Sequence, residues 1–273
     1  MDTQPTIIDY GTNIAQLGPL TYTASTVLTT GGQVIISPAT SEFVQLQTTV
    51  PGYGYRYTRA AVPGLSNIVA LHEGPLIGSY SKSFYAIQSD GAVWLVSLTV
   101  PSTGKTTITT TRFSDLTNVK SIACSTEWHC LGLKTDGSVV AWGKNDYGQL
   151  GNGTTSQVLT TVPQIVPGLS NITKVAAAEG VSAAIASDGT LWTWGTFERI
   201  GINPGLATSS PNRVAAIASA QEISCANDFC LAMTSDGTIS GWGSNLYGQL
   251  GSKVAKTSGN LPITQVDTLD LLP

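Results

Sequence analysis

Charge is the first scarcity. Lys, Arg, Asp and Glu make up only 11% of the 273 residues, and 13 basic against 17 acidic side chains leave a formal net charge of -4. Surfaces that neutralise phosphates need clustered Lys and Arg, so nucleic acid is excluded as the expected partner. Long apolar runs are missing too. No stretch approaches the roughly 20 residues of a bilayer-spanning helix, so membrane insertion by a helix is not expected. The opening MDTQPTIIDYGTN lacks the basic and apolar regions of a secretory leader. Metal-binding and nucleophile patterns are equally sparse. The two His residues, His72 and His129, stand far apart with no nucleophile motif beside them, and the four Cys show no paired C-x-x-C spacing. No metal, no cofactor and no catalytic residue is expected.

What the chain does have is 41% hydrophobic residues, 29 Gly and abundant Thr and Ser. That composition supports a large core with a surface of hydrogen-bonding strands and turns. The expected class is all-β.

Self-similarity organises the chain. AIQSDGAVWLV (86 to 96), LKTDGSVVAWG (133 to 143), IASDGTLWTWG (185 to 195) and AMTSDGTISGWG (232 to 243) each place Asp-Gly between alternating apolar runs, and VLTTGGQVIIS (27 to 37) is a weaker copy. Asp-Gly in that setting predicts a hairpin with a type I′ turn. The marker glycines Gly32, Gly91, Gly137, Gly189 and Gly237 are 46 to 59 residues apart. Upstream of each lies a short run opening on Asn or its equivalent, as in SNIVALHEG and TNVKSIACS. Downstream come a loop and an outer segment such as TTVPQIVPGL. Four strands in a period of about 50 residues is a propeller blade. The expectation is one β-propeller with five blades of four antiparallel strands, at 12–60, 65–112, 116–165, 169–215 and 219–266. QPTIIDYGTNI near the start and LPITQVDTLDL near the finish both read as outer strands. One completes the last blade, and the other is free to act as a tether or a homo-oligomer contact.

The stretch HCLGLKTDGSVVAWGKNDYGQLGNGTT, echoed by WGSNLYGQLGSK one hundred residues later, resembles the repeat of the regulator of chromosome condensation family and its bacterial β-lactamase-inhibitor form. Members usually have seven blades, where this chain has room for five. In the GQLG loop Gly148 and Gly151 are expected to supply turn conformations, Leu150 to bury itself between blades, and Asn145 and Gln149 to satisfy loop backbone. Trp142, Trp194 and Trp242, with Trp94 and Trp192 two positions earlier, read as packing between blades. Loops with Asn145, Asp146 and Asn152 lack the spaced carboxylates of a calcium site.

The cysteines are the informative departure. CSTEWHC (Cys124, Cys130) and CANDFC (Cys225, Cys230) fall at the same place in the repeat, the loop joining first strand to second. Four Cys allow three connectivities. Cross-strand neighbours near a hairpin end lie within disulfide reach, which favours the two local pairs over free buried thiols or a metal. All loops of this type emerge on one propeller face. They carry Tyr22, then His72, Glu73 and Tyr80 in the longer loop LHEGPLIGSYSKSF, then Glu127, Trp128, His129, Glu179, Asp228 and Phe229, the candidate binding residues. In the inhibitor form that the repeat resembles, aromatic-bearing loops at this position contact the partner.

The function expected is therefore non-enzymatic recognition of a protein or a cell-surface glycan, including a viral spike or receptor-binding role. The alternatives are an assembly component of a larger particle, an enzyme inhibitor and a glycan-acting enzyme. Disulfides point to an extracellular or virion-surface setting; reduced thiols would point to the cytoplasm.

Overall fold

The computed structural model describes residues 13–18, 24–38, 60–76, 81–99, 107–126, 129–196, 201, 208–251, 254 and 260–266. They form five antiparallel sheets of four strands, each sheet in simple sequence order. The first blade holds β1 (Ile14–Leu17), β2 (Ala24–Thr29), β3 (Val34–Pro38) and β4 (Ala60–Ala61). The second holds β5 (Ile68–Leu76), β6 (Ser81–Gln88), β7 (Val93–Thr99) and β8 (Thr107–Phe113). The third holds β9 (Val119–Cys124), β10 (His129–Lys134), β11 (Val139–Asn145) and β12 (Ser156–Ile165). The fourth holds β13 (Ile172–Ala178), β14 (Val181–Ala186), β15 (Leu191–Gly195) and β16 (Thr208–Arg213). The fifth holds β17 (Ala220–Ala226), β18 (Phe229–Thr234), β19 (Ile239–Ser244) and β20 (Asn260–Val266). The chain is an all-β propeller of five blades. Between the two outer-strand segments of the sequence, LPITQV pairs with β19 and completes the fifth blade. QPTIIDYGTNI lies almost wholly outside the described residues.

The hairpin between second and third strands differs from its sequence reading. A type I′ turn needs two left-handed residues, but here only the glycine has positive φ, from 73° at Gly32 to 84° at Gly237. The N–H of Gly91 donates to the carbonyl of Gln88, and Gln88 N–H to that of Ala92. Gly32, Gly137, Gly189 and Gly237 repeat the turn bond. This is a three-residue loop, a turn followed by a left-handed bulge glycine. The Asp before the glycine therefore stays right-handed. Its carboxylate accepts the N–H two residues on, at 2.9 Å for Asp90, Asp136 and Asp188 and 3.0 Å for Asp236. Those bonds, with hydroxyl bonds from Ser138, Thr190 or Thr234, hold Asp136, Asp188 and Asp236 below the usual carboxylate range.

The same glycine is where one blade meets the next. Each of the second to fifth blades opens on a left-handed residue, Asn67, Asn118, Asn171 or Ser219, with φ between 53° and 59°. Asn tolerates that region better than most side chains. A Cβ added to Gly32, Gly91, Gly137 or Gly189 would lie 2.6 to 3.0 Å from the Cα of the following blade's left-handed residue. Across that contact the N–H of Ile68, Val119, Ile172 or Ala220 donates to the turn glycine of the preceding blade. The left-handed residue's own carbonyl accepts from Ser89, Thr135, Ser187 or Ser235 within its own blade. One junction thus ties each blade to its predecessor and to itself.

Above the junctions the blade faces interlock. Four apolar clusters lie between consecutive blades: Leu28 and Ile36 against Phe84 and Val96; Tyr85 and Ile87 against Ile122 and Trp142; Leu131 and Val139 against Ala184 and Trp194; Ile185 and Val214 against Ala232 and Trp242. The WG tryptophans are key pieces of this packing. Trp142 and Trp194 are 5% and 0% exposed, and their indole N–H groups donate to Tyr85 Oη (3.0 Å) and the Gln149 carbonyl (2.9 Å) of the preceding blade.

The GQLG loop is the receiving half of that joint. Asn145 Oδ1 accepts from Leu150 N–H at 3.0 Å, its Nδ2 donates to the Thr154 carbonyl at 3.0 Å, and Gln149 Oε1 accepts from Tyr147 N–H at 2.9 Å. Asn245 and Gln249 repeat the pattern in the fifth blade. Gly151 lies beneath the Trp194 indole, with room for no side chain. Among the described residues no cluster joins the fifth blade to the first. Tyr247 is 83% exposed against 48% for its repeat mate Tyr147, and nothing lies within 4 Å of a Cβ built on Gly237.

This difference gives a paired prediction. Gly189→Ala and Gly237→Ala carry the same left-handed penalty, about 1–2 kcal/mol, since their φ values are 81° and 84°. Only Gly189→Ala adds a clash, 2.6 Å from Ser219 Cα, of a kind that costs about another 1–3 kcal/mol. Urea unfolding should therefore rank Gly189→Ala clearly below Gly237→Ala, and equal losses would contradict the junction.

Candidate functional site

The loops joining first and second strands lie at the blade ends opposite the Asp-Gly hairpins. Their seat is the glycine of the WG pair. Gly143, Gly195 and Gly243 have φ of 105°, 110° and 98°. A Cβ on Gly195 would stand 2.1 Å from the Gly180 carbonyl oxygen, and one on Gly243 2.3 Å from that of Asp228. Each loop is clasped there by a backbone bond, Thr196 N–H to Gly180 (2.8 Å) and Ser244 N–H to Asp228 (2.9 Å). The motif that names the repeat is also the platform on which these loops rest.

The cysteines sit at the loop bases as cross-strand partners, Cys124 opposite Cys130 and Cys225 opposite Cys230. Their sulfurs are at bonding distance, 2.04 and 2.07 Å, with Cα atoms 4.1 Å apart in both pairs. These bridges also pack inward. Cys124 and Cys130 belong to the cluster between second and third blades, and Cys225 and Cys230 to that between fourth and fifth.

His129 departs from the expectation that it faces a partner. It is 0% exposed because it opens β10 directly against the fourth blade. Nδ1 lies 2.8 Å from Ser125 Oγ and Nε2 3.0 Å from Ser182 Oγ, while Ser182 Oγ donates to the Gln149 carbonyl at 2.7 Å. With the Ser182 proton committed to Gln149, Nε2–H is the donor to Ser182 and Nδ1 accepts from Ser125. The chain of bonds crosses from third blade to fourth and back. Burial drives the His129 pKa down to about 3, a bond involving the Val181 backbone opposing the shift. His129 is a neutral inter-blade tie, not a contact residue.

The remaining candidates divide by position. Glu73 is exposed, whereas His72 is half-buried with Nε2 unpartnered, and desolvation lowers its pKa against a bond involving the Ile122 backbone. The stretch LHEGPLIGSYSKSF, read from sequence as one long loop, is mostly paired strand, with Glu73 opposite Phe84 and Leu76 opposite Lys82. Gly74 makes the close pairing feasible, since a Cβ there would meet Ser83 Oγ at 2.6 Å. Glu179, Asp228 and Phe229 are half-exposed on adjacent loops, which the Glu179 N–H joins by donating to the Asn227 carbonyl at 2.7 Å. Asn227 presents that carbonyl from a left-handed conformation, φ 47°. Tyr22, Tyr80, Glu127 and Trp128 lie outside the described residues.

The third, fourth and fifth blade loops are thus joined in series, by His129 and Ser182 and then by Glu179 and Asn227. The sequence reading missed Ser182 and the Gln149 carbonyl. Such partners give no local signal, because the bond spans 53 residues from His129 to Ser182. Among the described residues no three His, Cys, Asp or Glu side chains converge as metal ligands.

Comparison with known proteins agrees with this architecture. The family model described as the regulator of chromosome condensation (RCC1) repeat matches residues 136–185, and a second model of that repeat matches 119–149 and 221–249. The ultraviolet-B receptor UVR8 of Arabidopsis thaliana is 40% identical over 88 residues, 31% of this chain and 19% of the receptor. Protein pim1 of Schizosaccharomyces pombe is 36% identical over 100 residues, 32% of this chain and 18% of pim1. The chain therefore matches less than a fifth of the length of these relatives. Among solved structures, Prp20p from Saccharomyces cerevisiae superposes with a TM-score of 0.69 at 21% identity, over 94% of this chain and 64% of Prp20p. Human WBSCR16 gives 0.66 at 20%, over 90% and 65%. The class is a β-propeller, and residues 119–185 and 221–249 of this chain match the RCC1 repeat.

Two measurements check the site. Peptide mapping without reduction should recover Cys124 joined to Cys130 and Cys225 joined to Cys230; links between blades would refute the arrangement. The second is acid sensitivity. An unfolded His takes its proton near pH 6.5, whereas folded His129 stays neutral to about pH 3. The unfolded state thus binds more protons in between, and stability, fully present above pH 6.5, falls as pH drops through that window. His129→Gln should lower stability at pH 7.5 by about 1–3 kcal/mol of lost bonding, read as a lower Tm, yet show a shallower decline from pH 7.5 to 5.5, the remainder coming from His72. Parallel declines would remove His129 as the titrating group.

Proposed function

We propose that this chain is a non-enzymatic recognition propeller that binds a protein through the loop face of its third to fifth blades. The observation that carries the reading is the serial tying of three successive loops. Disulfide-bonded bases, WG-glycine seats and the Glu179 to Asn227 bond restrict the loops before any partner arrives. Loops fixed beforehand lose less entropy on association. Phe229 offers the aromatic anchor that protein interfaces favour, and the carboxylates of Asp228 and Glu179 beside it offer electrostatic complementarity to a basic partner.

The relatives support protein rather than glycan as the partner class. Prp20 is described in solved structures bound to Kap60 and with binding to Gsp1p and histones. The two cysteine pairs, poised as bridges, favour an oxidising setting for the working protein, which suits a secreted or surface-borne role.

A photo-crosslinking amino acid at Phe229 should trap a defined protein from the native milieu, and the same group at Val158, exposed on the outer strand β12, should not. The trapped protein, identified by mass spectrometry and purified, should bind the unmodified chain, with Asp228→Ala and Phe229→Ala each weakening the complex at least tenfold while leaving Tm within a few degrees. Equal trapping from Val158, or tight binding by both variants, would refute the loop face as the interface.

A further inference from the structure

The second and fourth blades share more than a fold. Both are entered through the same seven residues, VPGLSNI at 62–68 and at 166–172, both turn on Ser-Asp-Gly, and both place a tryptophan three residues after the turn glycine, Trp94 and Trp192. At the end of the second strand they differ, with Gln88 in one and Ala186 in the other.

In the second blade the Gln88 carboxamide fills the space between connector and tryptophan. Its Nε2 donates to the Ser66 carbonyl at 2.9 Å and its Oε1 accepts from Trp94 Nε1 at 2.8 Å. In the fourth blade Ala186 ends short of that place and a cavity of about 150 Å³ remains, lined by Ser170, Asn171, Ala186, Asp188 and Trp192 among others. Ser170 and Trp192 are the repeat mates of Ser66 and Trp94. Neither the Ser170 carbonyl nor the Trp192 indole N–H has a hydrogen bond among the described residues, so the cavity keeps both halves of an amide-recognising pair and lacks the amide. The Asp188 carboxylate is occupied by the Thr190 N–H and contributes negative charge at the rim.

We infer that this cavity binds a carboxamide, as a free small amide or as the side chain of a Gln or Asn on a polypeptide. The bound NH2 donates to the Ser170 carbonyl, the bound oxygen accepts from Trp192 Nε1, and Asp188 disfavours the corresponding carboxylate. A donor and acceptor pair of this kind matches an amide better than a carboxylate, which has no N–H to offer the Ser170 carbonyl. The site lies at the hairpin end of the fourth blade, opposite the disulfide-based loops, and does not depend on the function proposed for them.

The test follows the indole N–H resonances of the intact chain by NMR. Propionamide, which matches the end of a Gln side chain, should produce a saturable shift of a single indole signal, assigned to Trp192 by its absence from Trp192→Phe, and should bind at least tenfold more tightly than propionate. In Ala186→Gln the installed amide should place that signal at the shifted position without ligand and abolish the titration; Ala186→Leu should abolish it without the shift. A blocked Gly-Gln-Gly peptide binding more tightly than propionamide, with its Gly-Glu-Gly counterpart inert, identifies a polypeptide ligand, whereas the reverse order identifies a free amide. No saturable shift of Trp192 with either amide, or an equal response to propionate, would overturn the site.

Discussion

The propeller depends on one close approach, the backbone of each blade's left-handed entry residue lying against the bare Cα of the preceding turn glycine. It fixes the direction in which each new sheet leaves its predecessor, and so sets the faces that the apolar clusters fill. The turn type suits it as well. A loop with the glycine alone in the left-handed region leaves the Asp free to cap the hairpin, and puts the glycine carbonyl where the next first strand can donate to it. Packing of Trp194 on Gly151, and of Gly195 beneath the Gly180 carbonyl, is then repeated geometry rather than a separate invention in each blade.

On this frame the two ends of the propeller serve different purposes. The hairpin ends are conserved in form along the chain and are held by Asp caps and junction bonds. At the opposite ends the loops vary in sequence and in length, and the bonds between them, the buried one from His129 to Ser182 and the outer one from Glu179 to Asn227, couple neighbours that the repeat alone would leave independent. The face is thereby variable in its exposed residues and uniform in its support, which is the arrangement a recognition scaffold requires.

Much of this was legible in the sequence, because periodicity is a local property that recurs. Five repeats, the structural roles of Asn145, Gln149 and Leu150, the burial of the WG tryptophans and the shared placement of the cysteines could all be read from spacing. What could not be read was whatever depends on a neighbour distant in sequence. His129 looked like a loop-tip residue because it follows Trp128 within the cysteine bracket, yet the fourth blade covers it. The type I′ reading failed for a different reason, since the three-residue loop leaves only the glycine at positive φ even at Gly237, where nothing lies within 4 Å of an added Cβ. LHEGPLIGSYSKSF read as a loop because its glycines mask the pairing, which Gly74 in fact permits. The amide-shaped vacancy at Ala186 was written in the sequence as a difference between two otherwise matching blades, but its meaning required the bond geometry of Gln88.

Because each sheet is stabilised almost wholly by the sheets on either side, the protein behaves as a short one-dimensional lattice rather than as a body with a common centre. Its middle members have two couplings each, while among the described residues the first and fifth have one. Fluctuations should therefore grade outward from the third blade. The loop surface spans that gradient and is held most firmly over His129, so the third blade sets the register in which the neighbouring loops are presented.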